Sequence, residues 1–419
     1  MIKKFTNRLN KVLNKQRESY LHRKVRLYNG YRHNLASNDY FQLRFHPKVI
    51  SGAQTACEKY GSGSGASPLL SGFLSCHNDL LTEILNWKQK PFGMLFNSGF
   101  VANQAILKHL PGKNDFVLAD RLIHHSLAQA LIQCPAKFKR YDHIDLVSLE
   151  LLLEKNYGNY DTIFVVTESV FSMDGDYPNL KELVALKQRF PFVLILDEAH
   201  GTGVFGPNGG GLAEEMGVLP EIDILVGTLG KSLASMGAYV LANNGSIIDF
   251  LTNKAGEYIY STFLSPSQAG AALEAIKLIK NYGKQRENLR NVSKYFRSAL
   301  NQSGKIFESP IIPILVGDPK ETINLQDLLY KKGILVGAVR PPTVPANTSR
   351  LRISLNSEIN KSIVDELLNI LREWKKYKHN SYIWLGYSRK LVCRTIEVCI
   401  SQLPIENNIP RKPFKQRRG

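Results

Sequence analysis

Residues 191–203 read PFVLILDEAHGTG. A nearly unbroken apolar run of this length is what a strand covered on both faces looks like. It ends in Asp197, with His200, Gly201 and Gly203 directly behind it. Doubly wound sheets bind ligands beyond the carboxyl ends of their strands, so an Asp at this end is placed to meet a bound group. Taken alone, Asp197 reads as a helix or turn cap.

Further along, residues 221–243 read EIDILVGTLGKSLASMGAYVLAN. One apolar strand ends in Thr228, Gly230 and Lys231, and another follows almost at once. A lysine between two such strands is an awkward surface residue. Apolar surroundings depress an amine's pKa, as Schiff-base chemistry requires; the competing reading is a lysine snorkelling to solvent. Together, a strand-end Asp and a Lys on a following strand suit pyridoxal 5'-phosphate. The Asp keeps the pyridine nitrogen protonated and the Lys holds the aldehyde carbon.

Upstream, Phe96 to Asn103 looks like a strand end, a tight turn and a helix start. Free N–H groups at such a start bind phosphate, and the Thr228 hydroxyl is placed to add a hydrogen bond. The run GSGSGASPLLSG, residues 61–72, lacks the context of a dinucleotide fingerprint. It reads equally as an active-site loop or a plain flexible loop.

The rest of the chain sets the frame. From about 31 to 265, short apolar runs alternate with helical patterns, which predicts a mostly parallel sheet with helices on both faces. Strands are expected at Thr162–Thr167, Phe192–Asp197, Ile224–Gly227 and Ala238–Ala242. A long helical stretch from Gln268 toward Leu300 opens a smaller α+β domain. That domain carries strands Ile311–Val316, Ile334–Val339 and Arg350–Leu355, and a helix around Leu325–Lys332. Its last helix runs from Ile359 to about Lys375, with Ser357 as N-cap. The expected division is 1–40, an N-terminal helix and connector; 41–265, the large domain; 266–376, the small domain; and 377–419, a poorly ordered basic tail.

Composition narrows the function classes. The chain has 419 residues, 43% of them hydrophobic and 21% charged, as in ordinary soluble proteins. Five scattered cysteines include no CxxC pair, which indicates neither a zinc site nor a disulfide framework and fits a reducing, cytoplasmic setting. No apolar run approaches the roughly 20 residues of a membrane span. The net charge of +18 suggests nucleic acid, but residues 376–419 alone hold ten Lys or Arg against two Glu, and no nucleic-acid motif accompanies them. A basic surface equally suits an acidic protein or a phosphorylated carrier. The first residues form a basic amphipathic helix, with Ile2, Phe5, Leu9, Val12 and Leu13 on one face. It reads as a leading helix packed on the body, and a mitochondrial presequence would look similar.

Nine segments in order carry a resemblance: LASNDYF (35–41), GSGSGASPLLSG (61–72), FNSGFVANQA (96–105), ADRLIHHS (119–126), TESVFSMDGD (167–176), LDEAHGTGVFG (196–206), GTLGKS (227–232), IYSTFLSP (259–266) and RPPTVPANTSRLRISL (340–355). Together they resemble the α-oxoamine synthases, pyridoxal-phosphate enzymes of transferase fold type I, over about residues 1–375. The resemblance implies a homodimer with shared active sites. Lys231 would be the Schiff-base lysine, Asp197 the partner of the pyridinium nitrogen, and His200 a contact to the ring hydroxyl. His124 would stack on the ring by register; His125 stands where the family has a small residue. Ser172 would hydrogen-bond the cofactor. Ser98, Gly99, Phe100 and Thr228 would surround the phosphate, with Thr262 reaching it across the dimer interface. Asn38 and Arg352 would hold an amino-acid carboxylate.

Arg350 and Arg352 are expected on opposite faces of their strand. The RPPTVP stretch is most similar to the family member that condenses L-alanine with a pimeloyl thioester in biotin synthesis, the acyl group being carried on acyl carrier protein or coenzyme A. Sister enzymes use glycine or serine with other thioesters. A non-catalytic homologue would have lost Lys231 or Asp197, and both are present. Pro68 departs from the family's Gly or Arg, which predicts a stiffer loop.

Overall fold

The structure is a computed structural model that describes residues 1–300 and 307–377. The basic tail lies outside the described residues, apart from Tyr377 at a helix end. The first strand, β1 (His33–Leu35), is followed by seven that form one sheet: β2 (Phe92–Phe96), β3 (Phe116–Asp120), β4 (Lys137–Tyr141), β5 (Ile163–Glu168), β6 (Val193–Asp197), β7 (Ile224–Thr228) and β8 (Ala238–Ala242). Their order is β2-β8-β7-β6-β5-β3-β4, and only the pairings of β8 are antiparallel. Three of the four strands expected in this part begin or end one residue away from their predicted limits, and Ala238–Ala242 matches.

Alternation along these strands builds two cores. Leu118, Val165, Leu194 and Leu225 point to one face of the sheet. Their chain neighbours Val117, Val166, Ile195 and Ile224 point to the other. Helices cover both faces, so in the central strands both sets of residues are buried and the sequence shows runs instead of alternation. Each fully buried Leu or Ile contributes about 1.5–3 kcal/mol.

The smaller sheet has the order β1-β10-β11-β9, with β9 (Ile311–Gly317), β10 (Ile334–Val339) and β11 (Ser349–Ser354). Helix Pro319–Lys331 packs on all three late strands. The N-terminal connector therefore supplies an edge strand to this sheet, with His33 opposite Ile334 in a parallel pairing. Three residues of mixed polarity show no period, so nothing local announces this strand.

The first five helices are α1 (Ile2–Glu18), α2 (Pro47–Tyr60), α3 (Ser75–Lys88), α4 (Gly99–His109) and α5 (His125–Gln133). The stretch expected as one helix from Gln268 is two, Pro266–Ile279 and Gly283–Ala299. Arg286 ends the first by donating to the Ile279 carbonyl at 2.5 Å. Helix Pro266–Ile279 crosses α2 so closely that a Cβ on Gly52 would meet the Gly270 carbonyl at 2.8 Å, and one on Gly270 would meet that of Gly52 at 2.2 Å.

Ser357 is not the cap of the last helix. Asn360 accepts from Ile363 N at 3.1 Å there, while Ser357 N donates to the Tyr40 carbonyl. α1 buries none of its residues against this chain, so the expected packing on the body is not seen. No helix among the described residues is long and apolar enough to cross a membrane.

Candidate active site

The carboxyl ends of β5, β6 and β7 converge with the N-termini of α4 and α5. Asp197, the last residue of β6, is buried; its Oδ2 accepts from Asn103 Nδ2 at 2.8 Å and its Oδ1 from Ala199 N at 2.9 Å. Three residues on, His200 is buried with its Nδ1 2.7 Å from the Tyr40 hydroxyl. Burial pushes the Tyr40 pKa up to about 12, so the phenol keeps its proton and donates it. Burial holds His200 well below the imidazole range, helped by the positive charges of Lys231 and Arg352. His200 is therefore neutral, accepting at Nδ1 and carrying its proton on Nε2.

Lys231 sits in the turn between β7 and β8, pinned by Leu229 N to Gly237 O (2.9 Å), Ala234 N to Lys231 O (2.9 Å) and Ser232 Oγ to Thr202 O (2.7 Å). Its ammonium makes no ion pair or side-chain hydrogen bond among the described residues. Burial lowers its pKa to about 8, against the attraction of Asp197 and Glu168 and with the repulsion of Arg352. Glu168 is buried at the end of β5 and accepts from His124 N. Its pKa is raised well above the carboxylate range, by burial first and by Asp197 next.

His124 precedes α5 and opens to the cleft; its Nδ1 lies 2.7 Å from Ser126 Oγ. His125 is also exposed and turns toward the Phe100 ring, 6.5 Å between centroids. At α4, Ser98 caps the helix through Val101 N at 3.3 Å. The N–H groups of Gly99 and Phe100 have no carbonyl one turn earlier to bond. A Cβ on Gly99 would meet nothing closer than Thr228 Cβ at 3.9 Å, which leaves room before the helix. Thr228 Oγ1 borders this space, donating to Gly237 O at 3.0 Å and accepting from Gly230 N.

The carboxylate pair is assembled from opposite ends of the chain. Arg352 Nη1 donates to Asn38 Oδ1 at 3.0 Å and to Ser354 Oγ at 2.7 Å, while its Nε donates to the Ser172 carbonyl at 2.6 Å. Ser172 thus meets Arg352 through its backbone. Arg350 and Arg352 do not face opposite ways: residues two apart on a strand share a face. Both are buried against the 172–174 loop, Arg350 pairing with Asp174.

Thr262 is exposed, and its carbonyl accepts from Asn97 Nδ2 at 2.7 Å. The glycine-rich loop packs beside it through Phe263 N to Ala66 O at 3.0 Å. Pro68 is buried at the start of a wide helical turn closed by Gly72 N to Ser67 O.

Sequence reasoning passed over Tyr40, Asn103, Ser126, Glu168 and the buried pair Lys88–Glu198 beneath the Asp197 loop. The first four lie inside the quoted motifs. An uncharged polar residue in a helix has an ordinary reading until the fold brings α4 against α5.

These positions fit a pyridoxal phosphate. A lysine amine lacks a partner, Ser169 Oγ is fully buried without one, and a capped helix start faces open space. The chain matches the family described as aminotransferase class I and II over residues 33–371 and belongs to that class of pyridoxal-phosphate enzymes. It is 42% identical over 341 residues, 80% of this chain and 87% of the relative, to the 8-amino-7-oxononanoate synthase of Ectopseudomonas mendocina (strain ymp). Within the class, it belongs to the 8-amino-7-oxononanoate synthase family. The solved structure of that enzyme from Francisella tularensis superposes with a TM-score of 0.71 at 29% identity, covering 83% of this chain and 99% of the other. A serine palmitoyltransferase from S. paucimobilis with bound PLP superposes with a TM-score of 0.82 at 26% identity, covering 90% and 98%.

Proposed function

We propose that this chain catalyses the decarboxylative condensation of L-alanine with a pimeloyl thioester, giving 8-amino-7-oxononanoate, carbon dioxide and the free carrier thiol. The observation that carries the reading is Lys231: an unpaired amine of depressed pKa, set among Asp197, Glu168 and Arg352. The relatives' identity selects alanine and pimeloyl among the sister chemistries.

Pyridoxal phosphate, when bound, supplies an electron sink for the carbanion formed at the alanine Cα. Lys231 would hold the cofactor covalently and, once released, would move the Cα proton. Asp197 would hold a proton at the pyridine nitrogen, and Asn103 and Ala199 orient its carboxylate by donating to it. Arg352 and Asn38 receive the alanine carboxylate. His124 would stack on the ring, His200 would contact its hydroxyl, Ser172 would hydrogen-bond the cofactor, and Ser98, Gly99, Phe100 and Thr228 would surround the phosphate. Thr262 would reach the phosphate of a partner subunit in a homodimer. The acyl carrier is an acyl carrier protein or coenzyme A, and the setting is cytoplasmic.

The test is an absorbance titration of the cofactor-loaded enzyme with L-alanine, glycine and L-serine in parallel. A saturable change with L-alanine, and product once pimeloyl thioester is added, supports the reading. A stronger response to glycine or serine moves the enzyme to a sister chemistry, the one favoured by its likeness to serine palmitoyltransferase.

A further inference from the structure

Asn103 and Ser126 link two groups that the chemistry uses separately. Asn103 Nδ2 has two hydrogens: one goes to Asp197 Oδ2 at 2.8 Å, the other to Ser126 Oγ at 3.0 Å. Turning the amide over would set its oxygen against the Asp197 carboxylate, two acceptors face to face, so the orientation is fixed. Ser126 Oγ accepts from Asn103, and its own hydrogen is free for His124 Nδ1 at 2.7 Å. The Ser126 backbone N–H, which can only donate, also points at that nitrogen, at 3.3 Å. Asn103 and Ser126 are 2% and 0% exposed, so the donors of this chain are shielded from bulk water.

We propose that Asn103 and Ser126 are positioning residues that lock His124 as the neutral tautomer protonated on Nε2. Two donors on Nδ1 leave that nitrogen only its lone pair to offer. The ring proton then sits on Nε2, a hydrogen-bond donor for an oxygen in the cleft such as the thioester carbonyl. A neutral ring also adds no positive charge beside Lys231.

The groups facing His124 are His125 at the start of α5, Glu168 at the end of β5, Asp197 at the end of β6 with His200 beyond it, and Lys231 in the β7–β8 turn. Desolvation already lowers its pKa; Asp197 opposes this, while Lys231 and His125 reinforce it. The inference rests on the reading of His124 as a residue of the active cleft.

The test uses cofactor-loaded enzyme with 15N-labelled histidine, the imidazole nitrogens being followed by NMR from pH 5 to 9 and His124 assigned by its loss in His124→Gln. The native enzyme is expected to show a bare Nδ1 and a protonated Nε2. Ser126→Ala removes the shorter donor, so the neutral form loses support. The His124 pKa should then rise by roughly half to one unit, and the Nδ1-protonated tautomer should appear. Ser126→Thr should restore the native spectrum. Asn103→Ala should give a smaller shift of the same sign and guards against a Ser126→Ala that does not fold. The acid limb of kcat should move with the spectrum while KM for the amino acid stays. An unchanged tautomer and pKa in either alanine variant overturns the proposal. The spectrum reads the tautomer whichever amino acid proves to be the substrate, so failure of the substrate assignment is scored separately.

Discussion

Arg352 Nη1 donates to Asn38 Oδ1 across 3.0 Å, and the two residues lie 314 positions apart in the chain. Asn38 therefore fixes the Arg352 guanidinium, and in the proposed reaction the two residues together would receive the substrate carboxylate. Asn38→Ala should raise KM for the amino acid roughly 10- to 150-fold, as expected for one hydrogen bond to a charged group, with kcat largely kept. Steady-state kinetics with varied L-alanine checks this; equal loss in kcat and kcat/KM would instead place Asn38 in the chemical step.

Lys231 carries an energetic cost that catalysis requires. Its pKa falls from 10.5 unfolded to about 8 folded, chiefly by burial. Below pH 8 both states hold the proton and the cost is fully present. Between pH 8 and 10.5 the unfolded chain keeps the proton that the folded one has lost, so stability rises with pH. Lys231→Met should abolish turnover and stabilise the cofactor-free protein at pH 7 by about 1–3 kcal/mol. That advantage should shrink toward pH 10, as read by denaturant unfolding.

Lys88 and Glu198 form a fully buried pair at 3.4 Å, and Lys88 also donates to Thr202 Oγ1 at 3.0 Å and to Gly210 O at 2.5 Å. Glu198 follows Asp197 directly and accepts from Ala213 N at 2.9 Å. Removing one partner strands a buried charge, so Lys88→Met should cost about 3–5 kcal/mol. Lys88→Met with Glu198→Gln should cost clearly less than the two single changes added together. Thermal melts of the four proteins decide it, and strict additivity would contradict the pairing.

His143 bridges Asp120 at 2.8 Å and Asp176 at 3.1 Å, tying together the loops that carry His124 and Ser172. Burial alone would lower its pKa, but the hydrogen bonds and charges of the two carboxylates outweigh that and raise it to about 10. The resulting stability is fully present below pH 6.5 and is lost as pH rises through about 10. His143→Gln should cost roughly 2–4 kcal/mol at pH 6, a gap that closes above pH 10. Urea unfolding at pH 6, 8 and 10.5 follows it.

The large sheet was legible because its strands are covered on both sides. Ile224–Thr228 and Ala238–Ala242 stand out as apolar runs with no helical period, and Lys231 stands out because charge between such runs needs a reason. The elements that escaped depend on distant partners. β1 is a strand only because Ile334–Val336 lies beside it. The break at Lys280–Tyr282 is secured by Arg286, which also reaches the Pro207 carbonyl. Asn103 and Ser126 are unremarkable helix residues until Asp197 and His124 close in on them. Arg350 and Arg352 were misplaced for a simpler reason, since the strand period puts both on one face.

The pairing of His33 with Ile334 also governs how the molecule is made. A ribosome delivers the amino end first, and domains tend to close in that order. Here residues 33–40 emerge early with nowhere to dock. Their edge is β10, and their hydrogen-bond partner Arg352 is still hundreds of peptide bonds from synthesis. The large sheet can condense meanwhile, with Asp197 and Lys231 already in place. The nascent chain can thus bring Asp197 and Lys231 together before Asn38 and Arg352 can meet. That second pair forms only when the oldest part of the chain meets some of the newest.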